Sequence, residues 1–125
     1  MEERAVTSRK NQSFRIRLGF ALSGIRSALH SEHSLRIHFG LAALVAIALL
    51  VLRPAAAWWA LAGLATSAVI GAELFNTALE RLADHLHPDV HAEIRFVKDC
   101  AAGAVLVVAG GALCVAAAFV VGTLT

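Results

Sequence analysis

Residues 37–72 read IHFGLAALVAIALLVLRPAAAWWALAGLATSAVIGA, and Arg53 is the only Asp, Glu, Lys or Arg among them. Pro54 has no backbone N–H and disfavours helix in the residue before it, so the stretch divides at Arg53-Pro54 into two apolar helices around a tight turn. A third run, Cys100 to Thr125, carries no charged side chain at all. A helix that crosses hydrocarbon needs about 20 residues. The expected fold is therefore an all-α membrane protein with three transmembrane helices, over about residues 35–53, 55–83 and 99–124. Trp58 and Trp59, just after the turn, suit an interfacial aromatic belt.

The rest of the chain agrees. Its 125 residues hold one domain, 1–125, and they are 58% hydrophobic and 16% charged, with a mean hydropathy of +0.71. A soluble domain would be nearer a quarter charged, which sets aside a soluble globular enzyme. A net charge of +2 is too balanced to bind nucleic acid. Seven of the 11 basic residues (Arg4, Arg9, Lys10, Arg15, Arg17, Arg26, Arg36) precede the first span, and Arg81, Arg95 and Lys98 lie between the second and third. By the positive-inside rule, the N-terminus and the 81–98 connection face the cytosol, while Arg53 and the C-terminus face outward. The start is not expected to be a cleavable signal peptide, because its basic residues are followed by no apolar run and no small-residue cleavage signal; residues 12–30 read instead as a surface helix. Phe14, Leu18, Ala21 or Leu22, and Ile25 recur at helical spacing, as in an amphipathic helix lying on the membrane surface. Cys100 and Cys114 have no metal or disulfide spacing and are expected to be buried, reduced and apolar. Gly63, Ser67 and Gly71 form a small-residue face suited to helix packing within or between subunits.

Glu73, Asn76, Glu80 and Asp84 are spaced by 3, 4 and 4, which puts them within roughly 80° of one another on one helix face. A carboxylate inside a membrane span costs about 3 kcal/mol on insertion scales, so Glu73 calls for a functional role. Like charges on one face repel unless a cation sits among them, and two carboxylates with an asparagine suit a divalent ion with oxygen ligands, magnesium first. Glu32, just before the first span, can add a third carboxylate to the same end. Lys98, followed by Asp99 and the small run Ala101 to Ala104, can place a cation on a phosphate. Metal, cation and base are the parts that phosphoryl transfer needs. No Walker A sequence is present. Of the six histidines, His85, His87 and His91 form no convincing zinc site; interfacial or nucleotide contacts suit them better.

Glu73-Leu74-Phe75-Asn76-Thr77-Ala78-Leu79-Glu80, with Asp84, His91 and Lys98-Asp99-Cys100-Ala101-Ala102-Gly103-Ala104-Val105, resembles the signature of the small prokaryotic diacylglycerol kinase family, which includes the undecaprenol kinases. The resemblance covers about Phe14 to Val108. It implies a homotrimer in the bacterial cytoplasmic (inner) membrane, with active sites shared between subunits on the cytosolic side. The reaction it implies is ATP- and Mg2+-dependent phosphorylation of a lipid hydroxyl, first of all diacylglycerol to phosphatidic acid in phospholipid metabolism. By the same resemblance Glu73 is the general base, Glu32 and Glu80 are magnesium ligands, Asn76 and Asp84 are supporting polar residues, and Asp89, Val90, His91, Lys98 and Asp99 contact ATP. Ala102 stands where the best-known diacylglycerol kinases have serine. The 101–104 run and the stretch Ser31 to His38 are more like the undecaprenol kinase branch, which would make undecaprenyl phosphate. An arginine of the family's N-terminal helix falls at Ser13 here. Two readings from other classes are a small proton-coupled transporter using Glu73 and a non-catalytic assembly subunit built on the Gly63/Ser67/Gly71 face.

Overall fold

In the computed structural model, which describes residues 12–125, the chain forms α1 (Phe14–Ser31), α2 (His33–Leu52), α3 (Ala56–Leu86) and α4 (Ala92–Leu124). Arg4, Arg9 and Lys10, counted above among the basic residues of the N-terminal segment, lie outside the described residues. Three helices, α2, α3 and α4, are long and apolar enough to cross a membrane, and the shorter α1 precedes them. This is the fold class expected from the sequence.

Each junction has a local cause. Glu32 is extended (φ −107°, ψ 118°) and serves both as the C-cap of α1 and the N-cap of α2. The Arg36 guanidinium reaches back to donate to the carbonyls of Leu29 and His30, both at 3.0 Å. A cation is thus set on carbonyls that a helix C-terminus leaves unpaired. Between α2 and α3, Arg53 takes a left-handed conformation (φ 47°) and Pro54 prevents α2 from continuing. The α3–α4 loop is short, from His87 to His91, with the His91 ring accepting the Glu93 backbone N–H at 3.2 Å to open α4.

At 20 residues, α2 is about 30 Å long and matches a hydrocarbon core of that thickness. With 31 and 33 residues, α3 and α4 are about 46 and 50 Å long, so both outrun the bilayer. They extend past the apolar segments read from the sequence, to Leu86 and back to Ala92, because residues 84–86 and 92–98 change the solvent without breaking the helix. α4 packs chiefly along α3, α2 also lies on α3, and α1 touches α2 and α3. α2 and α4 flank α3 with little contact between them. They leave an open apolar cleft of about 550 Å³, lined from His38 at one end to Trp58 and Phe119 at the other.

Leu35 is fully buried, and Ala28, Leu49, Val69, Ala83 and Ala101 complete a thin core. Large apolar side chains such as Leu44, Leu64 and Leu106 are 62%, 69% and 75% exposed, a pattern suited to lipid rather than water. The cysteines depart from expectation. Both are free, but Cys100 and Cys114 are exposed rather than buried, because α4 has a neighbour along α3 only and its remaining faces are bare. Gly63 and Ser67 are also exposed, and a methyl group added at Gly63, Gly71, Gly103, Gly110 or Gly111 would meet nothing within 4 Å. The small-residue face is therefore not used for packing inside the subunit.

Candidate functional site

From Ala56 to Glu73, α3 advances 17 residues, about 26 Å, which puts Glu73 just inside the far boundary of a core that α3 enters at its tryptophans. Glu73 is 6% exposed, and with Thr77 it makes up the buried polar set of the described residues. Such a carboxylate needs partners, and α2 supplies them. His38 Nε2 lies 3.0 Å from Glu73 Oε1, and the Ser34 hydroxyl donates to Oε2 at 3.5 Å. Ser34 and His38 are four apart, so one face of the first turns of α2 holds both carboxylate oxygens.

Along the same face of α3, exposure rises towards the helix end. Asn76 and Glu80 are half-buried and Asp84 is exposed. Asn76 Oδ1 is buried yet accepts no hydrogen bond, an acceptor one turn from Glu73 and one from Glu80 that is left over for a ligand. Asp84 receives the Lys98 ammonium of α4 at 2.6 Å. Glu32, at the α1–α2 junction, receives Arg81 at 3.5 Å, which draws that junction against the turn of α3 that carries Glu80. Asp99 lies on the exposed side of α4, 3.8 Å from Arg95. Asp89, Val90 and His91 sit exposed at the α3–α4 connection. These three ion pairs lie at the surface, where solvent screens them, and their value is positional.

The structure thus brings together α2 with Glu73, the α1–α2 junction with Arg81, and Asp84 with Lys98. No three of its His, Cys, Asp and Glu side chains gather into a metal cage among the described residues. Magnesium is normally held by one or two carboxylates with substrate phosphates and water completing the octahedron. Glu32 and Glu80, with the unpaired Asn76 oxygen between Glu80 and Glu73, are hard oxygen donors of the kind that ion takes. Sequence reasoning missed Ser34 and His38 as partners of Glu73, and Arg81 as the partner of Glu32. The signal for the first two was present, as polar residues four apart in the first turns of α2, alongside His33 and Arg36. Which helix that pair faced could not be read from spacing.

Residues 19–120 match a protein family described as prokaryotic diacylglycerol kinase. A diacylglycerol kinase of Synechocystis sp. is 37% identical over 99 residues, a match covering 77% of this chain and 55% of that protein. The chain therefore spans little more than half the length of this curated relative.

Proposed function

The chain belongs to the prokaryotic diacylglycerol kinase family, and from that premise we propose that it is a membrane lipid kinase, moving the γ-phosphoryl group of ATP to a lipid hydroxyl. The observation that carries the reading is Glu73, a carboxylate buried within a helix long and apolar enough to cross a membrane and held by α2 at the polar end of an apolar cleft. A lipid tail lying along α2 and α3 would deliver its hydroxyl to that level. Glu73 takes the hydroxyl proton, the lipid oxygen bonds to phosphorus, and the bond to the bridging oxygen breaks with its electron pair leaving on ADP. Glu32 and Glu80 would hold magnesium, which when bound neutralises charge on the phosphate oxygens. Lys98, tied to Asp84, offers a second cation there, and Asp89 to His91 with Asp99 are assigned to the nucleotide.

Diacylglycerol is the acceptor proposed first, giving phosphatidic acid. Ala102 and the stretch Ser31 to His38, in which His38 meets Glu73, favour undecaprenol as the second reading. The unpacked faces of α3 and α4 support a homotrimer with sites completed between subunits. The basic residues around the Glu73 end support a cytosolic site in the bacterial inner membrane.

The test is transfer of labelled phosphate from ATP with magnesium, on the purified full-length protein in mixed micelles, offering diacylglycerol and undecaprenol side by side. Label in diacylglycerol is expected. Label in undecaprenol alone would move the assignment to the second branch, and label in neither would remove the kinase reading.

A further inference from the structure

Among the described residues, one histidine ring spans the apolar cleft and the candidate base. His38 lines the cleft between α2, α3 and α4, and its Nε2 stands 3.0 Å from Glu73 Oε1. Of the other cleft residues with a polar side-chain atom, Thr66 spends its hydroxyl on its own helix, on the carbonyls of Ala62 and Gly63, and Trp58 lies 15 residues from Glu73 along α3. His38 is thus the cleft side chain whose polar atom is turned to Glu73.

The two oxygens of Glu73 are held unequally. Oε1 has a close ring nitrogen, whereas Oε2 has only the Ser34 hydroxyl at the outer limit of a hydrogen bond. A carboxylate that is to remove a proton is ionised and can only accept, so in the working state Nε2 must carry the proton and donate. We propose that His38 is a positioning residue for the phosphoryl transfer: its Nε2–H clamps Glu73 Oε1 and leaves Oε2 as the oxygen that takes the lipid hydroxyl proton. His38 keeps its own proton throughout and touches no phosphate. Fixing one oxygen by a charge-assisted bond removes the rotation that would otherwise exchange the two.

This assignment rests on the lipid-kinase reading, and two measurements separate the failure of one from that of the other. In the micelle transfer assay, H38A is expected to lower kcat by about 10- to 100-fold, as loss of an orienting partner does, with the KM for ATP and for lipid held within about twofold. H38Q, whose amide N–H can still donate, is expected to recover most of the loss. Unchanged kcat, a loss confined to KM, or H38Q no better than H38A would overturn the role. The second measurement needs no turnover. In protein labelled with nitrogen-15 at its histidines, the His38 signals, identified by their absence from H38Q, are expected to show a protonated Nε2 that shifts in E73Q while the other five histidines stay in place. Identical His38 signals in wild type and E73Q would overturn the bond, even if H38A fails to fold. Absent transfer by the wild type with a shift intact would instead sink the kinase reading and leave the clamp standing.

Discussion

The two ends of α3 are built by opposite means. At the Trp58 end, Trp58 meets Phe119 of α4 edge to face, with centroids 5.2 Å apart. A methyl at Gly122 would come within 3.2 Å of the Trp58 ring. Contact there is by shape, and no ion pair of the described residues involves that end. At the Glu73 end, α2, the α1–α2 junction and α4 each reach α3 with a polar bond, to Glu73, Arg81 and Asp84 in turn. Apolar packing in lipid gains little from exclusion of water, since tails are as apolar as side chains. It can hold helices together without prescribing which atoms must meet. Hydrogen bonds at the boundary are directional and prescribe just that, which is why the precise geometry is found at one end.

Five substitutions break or sharpen this contrast. Glu73→Gln keeps an acceptor for His38 and removes the base, so phosphate transfer is expected to fall by about 10²- to 10⁴-fold, with helix content by circular dichroism retained. Activity within tenfold of wild type would remove Glu73 as the base. Glu80→Gln replaces a charged oxygen donor with a weaker neutral one. It is expected to raise the magnesium needed for half-maximal rate by about tenfold, and a magnesium titration unchanged in both Glu80→Gln and Glu32→Gln would refute their assignment as ligands. At the opposite end, Trp58→Ala loses the edge-to-face pair and is expected to cost about 1–2 kcal/mol, seen as a lower unfolding midpoint in detergent, while kcat stays unchanged. Loss of turnover without loss of stability would show that the two ends are coupled. The smallest effect is expected of Arg53→Gly, where relief of the left-handed conformation is offset by the added freedom of glycine in the unfolded chain. The unfolding midpoint should correspond to a change of less than about 1 kcal/mol.

Much of this was legible in the sequence. The break at Arg53-Pro54, the three apolar helices and a further helix before them follow from where charge and proline fall, and they are what the structure has. The stripe Glu73, Asn76, Glu80, Asp84 followed from helical spacing, and its graded burial from Glu73 outward is what a stripe running out of the hydrocarbon should show. The cysteines were misread because apolar character was taken to mean burial. In lipid the two separate, and an apolar residue on α4 is as well placed facing tails as facing α3. Arg81 and Lys98 were legible as charges, though neither could be assigned a partner.

The sequence by itself determined the elements, their order, and the single face on which the carboxylates stand, because these depend on periodicity and on the local chemistry of proline and charge. Only the tertiary structure decided that Glu73 is met by Ser34 and His38, Glu32 by Arg81, and Asp84 by Lys98. Those contacts join residues 14 to 49 positions apart, and they depend on how far one helix is turned and slid against another. In a bundle with so thin a core, that register is set by a few side chains whose pairing no local pattern encodes.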